Sequence, residues 1–188
     1  GKWFAFQNWD IKPDLVSFAK GATCGYVPLG GVIATKKIAD YFDDNKMFCG
    51  LTYSAHPMGC AAAIATIDAY AEEKVFENVE KVGKVLAESL DNIRNKHACV
   101  GETRCIGLFS SLELVKDKET REPLVPFNQD PEGIMPKILG MLRAEGFYTY
   151  SHENMIFVSP PLIITEEELN EAMQMLDKVL DSVDNMIK

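Results

Sequence analysis

The sequence has few cysteines and no long uninterrupted apolar run. Its five cysteines are odd in number and form no C-x-x-C pair, so neither a disulfide framework nor a metal site is expected. The longest apolar stretch, CAAAIATIDAYA from Cys60, is too short to cross a bilayer and contains Asp68. Lys2 is not followed by an apolar leader with a small-residue cleavage site, so no signal peptide is expected. These absences predict a cytoplasmic protein without a metal or a membrane partner.

Positive charge is also scarce. Nineteen Lys and Arg residues stand against 28 Asp and Glu, which gives a net charge of −9. Such a charge repels polyphosphate backbones and anionic membrane surfaces, so nucleic acid is not an expected partner. The 47% hydrophobic and 25% charged residues are typical of a globular protein with one or two small cores.

The phosphate-loop pattern G-x-x-x-x-G-K-[ST] is missing, although glycines are concentrated after Lys20. The segment LVSFAKGATCGYVPLGG places this lysine after a predicted strand and before four glycines. A lysine in that position lies near the carboxyl end of a strand, where α/β proteins bind ligands. The ordinary alternative is a surface lysine that reaches into solvent. Imine formation is the chemistry that needs one buried lysine, because only an unprotonated amine attacks an aldehyde, and pyridoxal phosphate is the commonest such aldehyde.

Residues from about 97 onward have the pattern of an antiparallel sheet covered by helices on one side. Apolar residues spaced three and four apart predict one long amphipathic helix in the middle of the chain. Strand-like segments begin at Cys105, Phe147 and Met155, the last two joined as a hairpin. Thr165 and Glu168 predict a capping box that starts the terminal helix. The first 70 residues contain short buried-type strands, too few to close a core, which predicts the carboxyl-terminal part of a larger protein.

Four segments together resemble the class III pyridoxal-phosphate aminotransferases. In order they are PDLVSFAKGATCGYVPLGGVIA, GLTYSAHPMGCAAAIA, VGETRCIGLFSSLELVKD and IFVSPPLIITEEEL. The resemblance runs from about Gly1 to Ile187 and is strongest to ω-aminotransferases of the taurine or β-alanine type. It implies an α/β fold, the fold type I of PLP-dependent transferases. Residues 1–72 would be the carboxyl-terminal portion of the PLP-binding large domain, 73–96 a long connecting helix, and 97–188 an α+β small domain.

The resemblance also implies roles for particular residues. Lys20 would hold pyridoxal 5'-phosphate as a Schiff base and act as general acid and base. Thr52 would offer its hydroxyl to the phosphate of the cofactor in a neighbouring subunit, which implies a homodimer with shared active sites; a helix-entry threonine is the alternative. Many relatives have a substrate-binding arginine on the hairpin. No arginine follows Arg143 here, so Tyr150 and His152 are the nearest candidates, unless both are ordinary hairpin-surface residues.

Three further residues, Arg104, His56 and His97, lie where a local role is expected. Arg104 resembles a family arginine that helps to orient the small domain, although Cys105 stands where the family has a glycine. His56 precedes Pro57 and is interpreted as marking a helix entry. His97 is interpreted as complementing the dipole of the helix that it ends.

The resemblance implies a parent enzyme that moves an amino group between an amine or ω-amino acid and a 2-oxo acid. The family's Gly-Ser phosphate cup, its ring-stacking aromatic residue and its Asp-Glu-Val segment do not occur in this sequence. The chain is therefore expected to be a fragment that is inactive alone. Two alternatives stay open: another class III enzyme, such as an aminomutase or a dialkylglycine decarboxylase, and an isolated domain without activity.

Overall fold

Two units make up the chain in a computed structural model, which describes residues 1–187. Lys2–Phe76 form the amino-terminal unit, and the chain from Glu77 onward forms the carboxyl-terminal unit, to which Gly1 also belongs. The predicted division into residues 1–72, 73–96 and 97–188 stays a prediction about the domains of a whole enzyme. Its last residue, Lys188, lies outside the described residues.

The amino-terminal unit contains two short strands and two helices. In chain order its elements are a 3-10 turn over Ala5–Asn8, β1 (Leu15–Phe18), a 3-10 turn over Lys20–Thr23, β2 (Gly31–Ala34), α1 (Lys36–Asp44) and α2 (Pro57–Glu72). β1 and β2 pair antiparallel, with Leu15 opposite Ala34 and Phe18 opposite Gly31. A Cβ on Gly31 would lie 2.6 Å from the Phe18 ring, so this pairing needs a glycine there.

The expectation that these strands are buried is wrong for this structure. Residues of β1 alternate between exposed and half-buried, and three of the four residues of β2 are exposed. Among the described residues the two strands pair only with each other. A two-stranded ladder that is not covered by another layer leaves its side chains open to water.

α2 begins as the sequence predicts. Pro57 is its first residue, and the His56 Nδ1 accepts a hydrogen bond of 3.3 Å from the Met58 amide, so His56 is the N-cap. The alanine-rich body is mostly apolar and has no single apolar face, which is typical of a helix that is surrounded by protein. In this chain only Gly59 of the helix is buried, whereas Met58 and Ile64 are 66% and 60% exposed.

The carboxyl-terminal unit is an antiparallel sheet with helices. The remaining elements are α3 (Val75–Lys96), β3 (Val100–Ile106), β4 (Phe109–Asp117), β5 (Glu122–Pro123), α4 (Ile134–Ala144), β6 (Ser151–His152), β7 (Met155–Val158) and α5 (Glu166–Met186). The strand order is β3-β4-β7-β6, and β5 pairs with β4. This arrangement confirms the predicted α+β pattern and the presence of a hairpin that ends in β7. The strand predicted from Phe147 is wrong, because β6 lies at Ser151–His152, inside the four residues expected as the connection, and the turn is Glu153–Asn154. The strand predicted from Cys105 is divided by a turn at Gly107, so that its residues belong to β3 and β4.

The core of this unit uses the apolar faces that the sequence predicts. The buried helix residues include Val79, Val82, Leu86, Leu90 and Ile93 of α3 and Leu169, Met173, Leu176, Leu180 and Val183 of α5. One face of the sheet joins them through Leu112, Leu114, Ile156 and Val158. The other face stays open, since alternate residues such as Ile106 and Phe109 are about half exposed.

The capping box of α5 is present. The Thr165 hydroxyl accepts from the Glu168 amide at 3.2 Å, and the Glu168 carboxylate accepts from the Thr165 amide at 2.9 Å. The backbone hydrogen bond from Thr165 lowers the pKa of the Glu168 carboxyl. None of the helices within residues 1–187 is long and apolar enough to cross a bilayer.

Candidate functional site

Lys20 occupies a constrained backbone position at the end of β1. It is the first residue of a 3-10 turn, and its φ of 53° is in the left-handed region that non-glycine residues seldom adopt. The turn is fixed from inside by Thr23, which is 1% exposed and whose hydroxyl donates to the Val27 carbonyl at 2.6 Å. The strand end thus presents one lysine in a defined local conformation.

The backbone beside Lys20 is open. Cys24 and Gly25 also have positive φ, and a Cβ on Gly21 or Gly25 would meet no atom within 4 Å. Glycines of this kind let a ligand approach the backbone closely. Lys20 itself is exposed, so the amino-terminal unit does not by itself provide the burial that imine chemistry requires.

Thr52 lies in the turn that leads into α2. The turn is closed by two hydrogen bonds between Leu51 and Ser54, of 3.0 Å and 3.3 Å. Thr52 is exposed, and within residues 1–187 no hydrogen bond joins it to Lys20. An exposed hydroxyl is a suitable donor to a phosphate oxygen, so both residues fit pyridoxal phosphate chemically: an amine for the aldehyde and a hydroxyl for the phosphate.

The hairpin of the carboxyl-terminal unit is held firmly to β4. Ser151 pairs with Ile156 and His152 with Met155. Asn154 in the turn is 8% exposed, and its side-chain amide donates to the Leu114 carbonyl at 2.7 Å. Its own carbonyl accepts from the Leu114 amide at 2.8 Å. The two bonds fix the turn and thereby the strand that carries His152.

Tyr150 and His152 lie together at this hairpin, whereas Lys20 and Thr52 belong to the other unit. The Tyr150 ring stacks on Phe157, with centroids 4.6 Å apart and planes 12° apart. Tyr150 is 57% exposed and His152 is also exposed. Phe109 lies on the far side of Phe157 at 6.1 Å, so the open sheet face carries a row of three rings.

Arg104 is on β3 and is already paired. Its Nη2 lies 2.9 Å from the Glu102 carboxylate and 3.3 Å from that of Glu113. The neighbouring Cys105 approaches the Gly107 carbonyl at 3.3 Å, and burial, with a smaller contribution from Asp91, raises the pKa of its thiol. The cysteine that replaces the family's glycine is thus accommodated in the strand.

The interpretation of His97 as a helix-dipole residue leaves out its main contacts. Its ring is 0% exposed, with Nδ1 2.8 Å from the Asp184 carboxylate and Nε2 3.0 Å from that of Asp177. The imidazole therefore bonds to α5 and not to the last carbonyls of α3. The available signal was the spacing of Asp177, Asp181 and Asp184, which places three carboxylates on one face of a helix.

The same cluster has a spacing that would suit a metal ion. Ligand atoms of His97, Asp181 and Asp184 lie within 4.8 Å of one another. However, the Lys96 ammonium lies 2.6 Å from Asp177 and 3.3 Å from Asp181. Because Lys96 and the His97 ring already supply partners for these carboxylates, we assign no metal to the cluster.

A lysine at a strand end in one unit, followed by an α+β unit, fits part of a PLP-dependent transaminase of fold type I, and the solved structures that this chain resembles are such transaminases. The family model described as Aminotransferase class-III matches residues 1–180. The chain therefore belongs to the class III aminotransferase family.

Individual relatives agree with this placement. The taurine–pyruvate aminotransferase of Bilophila wadsworthia is 33% identical over 98% of this chain and 42% of its own length. The putrescine–pyruvate aminotransferase of Pseudomonas aeruginosa is 34% identical over 96% of this chain and 39% of its own. Among solved structures, taurine:2-oxoglutarate aminotransferase from Bifidobacterium kashiwanohense, in complex with PLP and glutamate, is 50% identical with a TM-score of 0.93. It matches 100% of this chain and 42% of that protein.

The chain thus spans about 42% of the length of the taurine–pyruvate relative and of the solved taurine enzyme.

Proposed function

We propose that this chain is the lysine-bearing part of a cytoplasmic, homodimeric class III aminotransferase. The whole enzyme would move an amino group from an ω-amino acid, amino sulfonate or amine to a 2-oxo acid. The observation that carries the proposal is the match over the full chain, at 50% identity and a TM-score of 0.93, to a taurine:2-oxoglutarate aminotransferase. Lys20 at the carboxyl end of β1 supports it chemically.

Pyridoxal 5'-phosphate is the proposed cofactor, with Lys20 and Thr52 as the residues of this chain that hold it. When bound, it supplies an electron sink that stabilises negative charge on the carbon bearing the amino group. Lys20 Nζ would hold the cofactor, and once released it would move a proton from the substrate carbon that bears the amino group to C4′ of the cofactor. The Thr52 hydroxyl would donate to the phosphate of the cofactor held in the neighbouring subunit.

The hairpin residues are proposed to meet the acidic group of the donor. Tyr150 offers a hydroxyl on a ring that is fixed by stacking on Phe157, and His152 offers ring nitrogens from the adjacent strand. The bonds of Asn154 to Leu114 keep both residues in register. In this proposal the carboxyl-terminal unit selects the donor, while the amino-terminal unit carries the chemistry.

Activity of the full-length enzyme tests the proposal. Purified enzyme loaded with pyridoxal phosphate is expected to form glutamate from taurine or β-alanine with 2-oxoglutarate, or alanine with pyruvate. Lys20→Ala should abolish product formation, whereas Lys36→Ala, which removes an exposed lysine paired with Asp40, should not. Full activity of the Lys20 variant would contradict the proposed role, and carbon dioxide release without amino transfer would contradict the reaction class.

A further inference from the structure

We propose that the buried His97 side chain, held as an imidazolium between Asp177 and Asp184, is an acid-sensitive clasp. It fixes the second half of α5 to the end of α3 and the start of β3. The proposal concerns the carboxyl-terminal unit alone and does not depend on the reaction that the whole enzyme performs.

The hydrogen-bond inventory of the ring requires the charged form. Both ring nitrogens lie within 3.0 Å of carboxylate oxygens, and an ionised carboxylate only accepts hydrogen bonds. Both nitrogens must therefore donate, which only the imidazolium does. The ring is 0% exposed, so water cannot replace either partner, and a neutral ring would turn one lone pair toward a carboxylate.

Charges from several elements meet at this ring. The titratable groups around it are Asp177, Asp181 and Asp184 of α5, Lys96 of α3, Cys99 before β3, and Lys118 after β4. The Lys118 ammonium donates to the Arg94 carbonyl, and its positive charge lowers the pKa of the Cys99 thiol. Three aspartates at spacings of four and three repel one another on a helix face. Lys96 and a protonated His97 offset that repulsion while the three carboxylates are ionised.

Acid should open the clasp, and the direction follows from the two carboxyls. Burial raises the pKa of Asp177, but the hydrogen bonds from Lys96 and His97 outweigh burial and leave the pKa below its ordinary value of 3.8. Burial likewise raises the pKa of Asp184, but the Cys99 amide and His97 outweigh it. A carboxyl with a pKa lowered by folding stabilises the fold above its unfolded pKa and loses that contribution as pH falls through the folded value. The clasp therefore begins to weaken as pH falls below the ordinary carboxyl pKa of about 4, and it opens fully only below the lowered pKa values of Asp177 and Asp184.

Cys99 reports locally on opening. Its side chain is 0% exposed, its amide donates to Asp184 at 2.8 Å, and its sulfur faces the Leu180 carbonyl at 3.9 Å. The pKa of this thiol is raised, mainly because the side chain is buried and to a smaller extent because Asp184 lies beside it. Detachment of α5 would expose it, whereas Cys24 and Cys49 are exposed at all times and serve as internal references.

The test uses the 188-residue chain and three measurements. First, thiol labelling with 4,4'-dithiodipyridine, which reacts in acid, is mapped by peptide as pH is lowered. Labelling of Cys99 should rise as pH falls below about 4, before the far-UV circular dichroism of the unit is lost. Labelling of Cys99 only together with global unfolding would overturn the proposal.

Second, urea unfolding at pH 7 ranks the variants. His97→Gln should lower the folding equilibrium constant at least about tenfold, while His152→Gln, on the exposed hairpin, should leave it unchanged. Asp184→Asn should cost more than Asp181→Asn, because Asp184 bonds both the ring and the Cys99 amide, whereas Asp181 lies 3.8 Å from the ring. Equal losses for the two aspartate variants would overturn the clasp.

Third, nitrogen NMR of the wild-type ring needs no variant and covers the case in which His97→Gln fails to fold. Both ring nitrogens should have the chemical shifts of protonated nitrogen at pH 7, and a neutral tautomer would overturn the proposal. Treatment with EDTA should leave the urea midpoint unchanged. A loss as large as that of His97→Gln would assign the cluster to a metal ion instead.

Discussion

Gly83 of α3 lies directly against the backbone of Gly107, in the turn between β3 and β4. A Cβ on Gly83 would be 2.8 Å from the Gly107 carbonyl oxygen and 3.0 Å from its Cα. Gly107 itself has a φ of 58°, and a Cβ there would approach Val79 at 3.0 Å. Two glycines therefore allow the helix to touch the strand turn.

Gly83→Ala should destabilise the carboxyl-terminal unit by about 1–3 kcal/mol, because the atoms in the way are backbone and cannot turn aside. Alanine has a higher helix propensity than glycine, by up to about 1 kcal/mol. A loss of stability in Gly83→Ala would therefore be due to the backbone contact and not to helix propensity. Urea unfolding measures it. The control is Gly140→Ala in α4, where an added Cβ meets nothing within 4 Å and which should be neutral or stabilising. A similar result for both variants would mean that the contact does not constrain the helix.

Much of the carboxyl-terminal unit could be predicted because its signals are local. The capping box needs only Thr165 and Glu168, three residues apart, and the buried faces of α3 and α5 follow from apolar spacing within each helix. The cap and the helix faces are decided by neighbours in the sequence, so the pattern and the structure agree there. The hairpin was predicted in its place along the chain but not in its register, since β6 lies at Ser151–His152 and only two residues separate it from β7.

The features that escaped prediction depend on residues far apart in the chain. His97 meets Asp177 and Asp184 across separations of 80 and 87 residues, and no local pattern shows which carboxylates a histidine will reach. The burial expected for β1 likewise needs further strands beside it, which the described residues do not provide. The sequence predicts that Lys20 follows a strand, and the structure agrees. It does not predict the left-handed backbone of Lys20, because a lysine carries no signal for that conformation.

Borohydride reduction of the full-length enzyme with bound pyridoxal phosphate should attach the cofactor to Lys20. Lys20 is the lysine that directly follows β1, whereas Lys36 and Lys37 begin α1. Peptide mapping by mass spectrometry locates the label. A label on Lys36 or Lys37 would rule out Lys20 as the cofactor lysine.

Thr52→Ala in the full-length enzyme should weaken binding of pyridoxal phosphate by roughly 1–2 kcal/mol, the scale of one hydrogen bond to a charged group. The absorbance maximum of the bound cofactor should hardly change, because a phosphate contact does not touch the ring. Thr66→Ala is a matched control, since the Thr66 hydroxyl donates to the Ala62 carbonyl within α2. Equal dissociation constants for wild type and Thr52→Ala would leave Thr52 with a structural role only.

His152→Arg should change donor preference in the full-length enzyme. The hairpin has no arginine, and Arg104, on β3, which β4 separates from the hairpin, is paired with Glu102 and Glu113. A guanidinium at position 152 stays charged and binds a carboxylate or sulfonate with two parallel hydrogen bonds. We expect kcat/KM for taurine or β-alanine to rise by about tenfold, the equivalent of about 1.4 kcal/mol, with little change for an uncharged amine.

The comparison of two donors separates a substrate contact from a general effect of charge. Gln174→Arg, on the exposed side of α5, adds the same positive charge away from the hairpin and should favour neither donor. Because Asn154 fixes the hairpin to β4, the substitution at 152 should leave the urea midpoint unchanged, so a kinetic effect would not reflect unfolding. An equal gain for charged and uncharged donors, or the same gain from Gln174→Arg, would place His152 outside the substrate pocket and reduce the hairpin to a scaffold.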